Sequence, residues 1–155
     1  MLIEHAYGFE PLTDRPQRLY DIWDRWRGDR AMPAREAVMP EELRDLLAYV
    51  ALMEAGADPA DCRYIITGTA VDAITVQSFK GRTIRETIAK GNPTRAAEIL
   101  ALYGDVIANR RPSFSRGSMA YQDRGYVIYD RVLLPLSAEG LKVDHILCGF
   151  FYDSI

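Results

Sequence analysis

The chain reads as an α+β fold with an antiparallel sheet, because helical and strand periodicities occupy separate blocks instead of alternating. One helix comes first, two short strands follow, then a run of helices, then three strands. The last two strands, residues 126–136 and 141–152, are long, apolar and alternating, and Ser137-Ala138-Glu139-Gly140 joins them. A chain of 155 residues fills one core, burying about two thirds of its unfolded surface.

The first helix spans 14–27. Asp14 as N-cap and Gln17 three residues on have the spacing of a capping box, and Pro16 falls in the first turn, where its missing N–H costs nothing. Leu19, Ile22, Trp23 and Trp26 recur three and four apart. They form one apolar stripe that covers a sheet face or meets a second copy across a dimer interface. Asp14 with Arg18 and Asp21 with Arg25 are spaced as exposed ion pairs.

Pro33 interrupts, and Pro40-Glu41-Glu42 opens a second helix running to about Leu47. Strands at 49–54 and 62–67 flank the turn-rich Gly56-Ala57-Asp58-Pro59, which predicts a hairpin. From Thr69 the period becomes helical, with Val71, Ile74 and Ser78 on one face and Gly81 as the stop. Thr83 and Glu86 repeat the capping-box spacing for a short helix. Asn92 caps a longer one, Pro93 is its first residue, Ile99, Tyr103 and Ile107 line one side, and Asn109 and Pro112 end it. A strand at 113–121 then turns through Asp123-Arg124-Gly125 into 126–136. The chain divides into a helical extension, 12–47, and a core, 48–152, within a single domain over 1–155.

Composition narrows the function classes. A net charge of −3 and pI near 5.4 supply no general field for nucleic acid. Two cysteines without a CxxC pair exclude a disulfide scaffold or zinc knuckle and suit a reducing cytoplasm. No signal core opens the chain, and its longest apolar run, 46–53, is too short for a bilayer. Only three residues follow 152, so no fused output module is expected and any readout passes to another chain. GxxxxGK[ST], GxGxxG after a strand and GxSxG are all absent. Two histidines and two cysteines scattered along the chain match no metal-ligand spacing.

With a four-residue loop, Leu136 opposes Leu141, and Arg131 opposes Ile146 and lies diagonal to Asp144. One face then carries Val127, Tyr129, Arg131, Leu133, Asp144, Ile146, Cys148 and Phe150; the other carries Ile128, Asp130, Val132, Leu134, Val143, His145, Leu147 and Phe151. Both are apolar enough to need cover. Each holds one opposite-charge pair, Arg131 with Asp144 and Asp130 with His145. Such a pair serves as the polar anchor of a pocket or as an ordinary cross-strand contact. Cys148 and His145 point apart, which rules out a nucleophile and base dyad. Arg110, Arg111, Arg116 and Arg124 gather near the third strand, as an anion patch or as a solvated edge.

Several short stretches carry a family resemblance: Leu19-Tyr20 followed by Trp23, Met32-Pro33 with Arg35, Arg63-Tyr64-Ile65 running into Gly68-Thr69, Arg111-Pro112, Arg131 to Pro135, and Val143-Asp144-His145-Ile146-Leu147. In this order, over about 15–152, the chain resembles PAS domains, in particular small stand-alone bacterial proteins that begin with a Trp-bearing helix. The resemblance implies a five-stranded antiparallel sheet with its first strand beside its last, helices between strands two and three, and the N-terminal helix on the sheet. It also implies a cytoplasmic, non-enzymatic sensory or signalling domain that binds a small molecule or a protein partner, or pairs with a second copy.

Its ligand-binding candidates are Tyr64, Ile66, Tyr103, Ile107, Tyr129 and Arg131, with Asp144 as partner of the arginine; its interface candidates are Leu19, Ile22, Trp23 and Trp26. Flavin photoreceptors of that family carry a reactive cysteine, and many haem sensors a helical histidine. Residues 69–108 contain neither. Both cofactors are therefore disfavoured, with His145 a weak haem candidate and the cofactor otherwise unassigned. Two rival readings are a small cone-type α+β enzyme using Asp130 and His145 as acid and base, and a purely structural homodimerisation module.

Overall fold

A computed structural model describes residues 6–75, 77–89, 92–120 and 126–153. Helix α1 (Arg15–Arg27) precedes the short α2 (Pro40–Leu43) and a 3₁₀ turn at Arg44–Tyr49. Strands β1 (Val50–Glu54) and β2 (Arg63–Thr67) follow, then helices α3 (Thr69–Ile74), α4 (Ile84–Ile88) and α5 (Pro93–Asn109), then strands β3 (Ser113–Ala120), β4 (Tyr126–Leu136) and β5 (His145–Phe151). The fold is α+β, and the five strands form one antiparallel sheet in the order β2-β1-β5-β4-β3. The first strand therefore lies beside the last, and the two strand blocks share a single core.

Both sheet faces are covered. Leu19 and Trp23 of α1 are buried on one face, where Val132, Leu134, Leu147 and Phe151 meet them. Gly149 allows this approach. A Cβ there would lie 2.5 Å from the Phe151 ring and 2.9 Å from Leu19 Cδ2. The Trp23 indole N–H donates to the Pro135 carbonyl at 3.0 Å. Pro135 is tolerated in β4 because β3 ends opposite Leu133, so no neighbour on that edge asks for its missing N–H. The helices between β2 and β3 cover the other face, where Tyr103 and Val106 of α5 are buried.

Several local expectations are corrected. Asp14 has helical φ and ψ and makes no side-chain cap. The Thr13 hydroxyl accepts the Arg15 N–H instead, and Gln17 donates to Asp21 at 2.8 Å. Arg18 and Arg25 reach across to Asp45 and Glu42, not to acids on their own helix. The second helix stops at Leu43 and continues as 3₁₀, with Arg44 at φ +50° at the junction. The helix from Thr69 ends at Ile74, well before Gly81. In contrast, Thr83 with Glu86 forms its capping box, and the Asn92 side chain accepts from Thr94 and Arg95 N–H.

The largest correction concerns the closing hairpin. Leu136 pairs with His145 and Arg131 with Phe150, so the strands are shifted by four residues and 137–144 is a loop. Leu141, expected to open the strand, is 70% exposed. The loop is held by distant groups: Arg30 donates to the carbonyls of Ser137 and Ala138, and Ser137 N–H donates to the Pro33 carbonyl. Because the shift is even, each strand residue keeps its face. Asp144 is lost from the strand. The expected turn at Asp123-Arg124-Gly125 lies outside the described residues.

Candidate ligand cavity

Between the helices and the sheet lies a cavity of about 210 Å³, lined in part by Tyr64, Ile84, Ile88, Ile99, Tyr103, Tyr129, Arg131 and Phe150. Alternation on β4 brings Tyr129 and Arg131 to this face; β5 adds Phe150 and Cys148. Tyr64 comes from β2, and Tyr103 from the middle of α5, one turn beyond Ile99. Aromatic packing fixes the far wall, with Tyr129 and Phe150 edge to face at 5.7 Å and Tyr64 and Phe79 at 5.2 Å.

Arg131 is the polar centre. Its Nη2 donates to the Tyr129 hydroxyl at 2.8 Å and its Nη1 to the Ser115 hydroxyl at 3.1 Å. Burial works against the charge, but the phenol oxygens of Tyr129, Tyr103 and Tyr64 outweigh it and leave the guanidinium more firmly protonated than usual. Burial pushes the Tyr64 and Tyr103 hydroxyls well above the ordinary phenol range. At neutral pH these two are uncharged, so they offer lone pairs and dipoles without a counter-charge. Cys148, 4.0 Å from the Tyr103 hydroxyl, has its thiol pushed up to about 12 by burial. It is a core residue that stays protonated.

Gly117 on β3 makes room for this group. It pairs with Tyr129 in unbroken register, and a Cβ there would lie 2.7 Å from the Tyr129 Cζ and hydroxyl and 2.8 Å from Arg131 Nη2. Residues 117 and 118 are thus regular strand. Ser115, Gly117, Phe79, Ile84 and Arg95 belong to the cavity region and escaped the sequence reading. The glycine carried a usable signal, since glycine inside a strand often marks a close approach.

The other candidates fall elsewhere. Ile66 pairs with Leu52 on the opposite face and is 52% exposed, on a separate open groove with Leu43, Leu47 and Val38. A register irregularity in β2, between the partners of Leu52 and Met53, separates its face from that of Tyr64. Ile107 is half-buried against the core and does not line the cavity. Asp144 closes the hairpin loop, accepting from Ala138 N–H at 2.7 Å and contacting His145 Nδ1 at 2.8 Å. It has no contact with Arg131, because the register shift moved it beyond reach.

Asp130 is fully buried on the α1 side, where it accepts from Leu12 N–H at 2.6 Å and from Arg116 Nε at 3.0 Å. His145 pairs with Leu136 at the other end of β4, six residues and about 20 Å from Asp130. They cannot exchange a proton. Leu19 and Trp23 are buried on the chain's own sheet; Ile22 and Trp26 remain half-exposed, with the Trp26 indole N–H donating to Glu42 at 2.8 Å. The arginines do not form one patch. Arg110 donates to the Leu141 carbonyl, Arg111 faces Asp105 and Arg116 faces Asp130, while Arg124 lies outside the described residues. Among the described residues, no three His, Cys, Asp or Glu gather as a metal site.

A PAS domain family model matches residues 13–150. No curated protein matches the chain. Among solved structures, a light-oxygen-voltage domain studied with a flavin analogue is 13% identical, with a TM-score of 0.55 over 74% of this chain and 83% of that one. VqmA bound to DPO is 16% identical with a TM-score of 0.53, over 74% of this chain and 57% of that one. An RNA-binding light-oxygen-voltage receptor is 20% identical with a TM-score of 0.49; the match covers 78% of this chain and 36% of the receptor. At these identities the first two structures speak for the fold alone.

Proposed function

Since the chain belongs to the PAS domain family, we propose that it is a sensory domain, without catalytic chemistry of its own, whose signal is a small molecule held between helices and sheet. The observation that carries this is the cavity lined by Tyr64, Tyr103, Tyr129 and Arg131, apolar apart from a few converging polar groups, as ligand sites are. Its volume of about 210 Å³ lies below the roughly 300–1,000 Å³ of drug-sized pockets. That size favours a single-ring or short-chain compound over a flavin or a haem. VqmA is described as bound to DPO, which supports small-molecule capture on this fold and leaves the ligand of this chain to its own residues.

The readout is contact with a protein partner or a second copy. A ligand acts by favouring one packing of helix on sheet over another, since only differential affinity shifts an equilibrium. One coupling route runs through β4. The Arg131 side chain lines the cavity while its backbone carbonyl accepts from the Tyr7 hydroxyl on the other face, beside the Asp130 contact with Leu12. No helix among the described residues is long and apolar enough to cross a membrane, and the proposed compartment is the cytoplasm.

Native mass spectrometry on protein purified from its own host tests this reading. A small molecule retained at one per chain, released on denaturation, is the expected result. A bare chain that also fails to bind any member of a set of charged and neutral metabolites would leave sensing without support.

A further inference from the structure

Arg131 is 5% exposed, and its two hydrogen-bond partners are the neutral hydroxyls of Ser115 and Tyr129. Among the described residues it makes no ion pair; the neighbouring carboxylate, Asp130, projects to the opposite face and is engaged by Arg116. Buried charges are normally paired, because removing an ion from water costs several kcal/mol even after relaxation. A buried lysine or carboxylic acid escapes this cost by changing its protonation state. Arginine cannot. At Arg131 the cavity wall therefore holds a buried positive charge with no counter-charge beside it among the described residues.

The guanidinium has five N–H donors, of which two are occupied, leaving three for a planar two-oxygen acceptor. Around it stand the hydroxyls of Tyr64 and Tyr103, and beyond it the apolar side chains of Ile84, Ile88, Ile99 and Phe150. A cavity of roughly 150 Å³ accommodates benzene, so about 210 Å³ has space for one ring and a carboxylate. The geometry points to a small monocarboxylate as the ligand class, its carboxylate on the free edge of Arg131 and its apolar body against the isoleucines and Phe150. This inference rests on the small-molecule reading of the same cavity and adds the charge that reading leaves open. A phosphate ester is the less suitable anion: its dianion demands more donors than Arg131 and the neutral phenols present, and the other arginine of the lining, Arg95, is exposed and donates to the Ser118 carbonyl.

Isothermal titration of the full chain with benzoate, benzyl alcohol and phenyl phosphate provides the test. Benzoate is expected to bind one per chain, about ten- to a hundredfold more tightly than benzyl alcohol, the range for a hydrogen bond to a charged group. Arg131→Gln is expected to reduce benzoate to the affinity of the alcohol. Because that variant can fail to fold, the Arg131 Nε–H resonance of the unaltered protein gives a second readout, and it should shift with benzoate and stay still with the alcohol. Equal binding of benzoate and benzyl alcohol, or tighter binding of phenyl phosphate, overturns the carboxylate inference and leaves small-molecule sensing standing. If none of the three binds, the carboxylate inference fails as well. The host-purified protein then decides separately whether sensing survives.

Discussion

Replacing Gly117 by alanine tests the packing of the cavity's polar centre through the sign of the effect. In an ordinary strand the change is favourable, by about 0.5–1 kcal/mol, because glycine loses the most conformational freedom on folding. At Gly117 the added Cβ meets the Tyr129 ring at 2.7 Å and Arg131 Nη2 at 2.8 Å, both well inside contact distance. The atoms it meets are side-chain ends, so the ring and guanidinium can move. Moving them stretches the 2.8 Å hydrogen bond between Arg131 and Tyr129 and disturbs the edge-to-face contact with Phe150. Overpacking of this kind costs about 1–3 kcal/mol. The two effects leave a net loss on the order of 1–2 kcal/mol, read as a lower urea midpoint at unchanged slope. In a Tyr129→Leu background the clash with the ring end is relieved, and Gly117→Ala should turn neutral or stabilising, a coupling that a double-mutant cycle isolates. If Gly117→Ala stabilises the otherwise unaltered protein, Tyr129 does not lie over this glycine and the account of the cavity wall is wrong.

Trp23→Phe keeps most of the apolar area but leaves the buried Pro135 carbonyl without the indole donor; a loss of about 1–3 kcal/mol in thermal or chemical unfolding is expected, and a neutral effect would mean that bond is not made. Asp130→Ala removes the acceptor shared by Leu12 N–H and Arg116, so the amides of residues 6–12 should exchange hydrogen faster while those of β5 remain protected; equal rates in both proteins would contradict the anchoring role. Only thiolates attack disulfide reagents, and burial raises both Cys62 and Cys148, the latter to about 12. Neither should react at pH 8 until the chain unfolds, and rapid labelling of the native protein would count against the buried placement. The bond from Arg18 holds the Asp45 carboxyl below its ordinary value, and those from Trp26 and Arg25 do the same for Glu42. Depressed carboxyls stabilise the fold above their unfolded pKa of about 4, and this contribution disappears as pH falls through the lower folded values. Carboxyl carbon shifts that titrate at or above the unfolded values would remove both ties between α1 and the 40–45 segment.

Local chemistry made much of this molecule legible. Asn92 with Pro93 and Thr83 with Glu86 mark helix starts because capping is decided within four residues, and the alternation of β4 assigns Tyr129 and Arg131 to one face with Asp130 on the other. That assignment survived a register error of four residues, since an even slip preserves the face. Asp14 and Gln17 show the limit of such reasoning. Their spacing suits a capping box, yet the Thr13 hydroxyl takes the Arg15 N–H and Gln17 donates to Asp21.

The cavity was only partly readable. Tyr64, Tyr103, Tyr129 and Arg131 follow from periodicity, whereas Ile66 is directed to the wrong face by a β2 irregularity that no local pattern announces. Asp144 was assigned to Arg131 through a four-residue loop, but Arg30 and Pro33 hold 137–144 as a longer one from more than a hundred residues away. By itself the sequence determined the class of fold, the order of its elements and the face on which each side chain of β4 and β5 lies, because these follow from periods of two and 3.6 residues. Tertiary structure alone decided strand register, the partner of each charge and the isolation of Arg131 from any carboxylate among the described residues. Those depend on groups far apart in the chain, whose contacts are set by how the whole core closes.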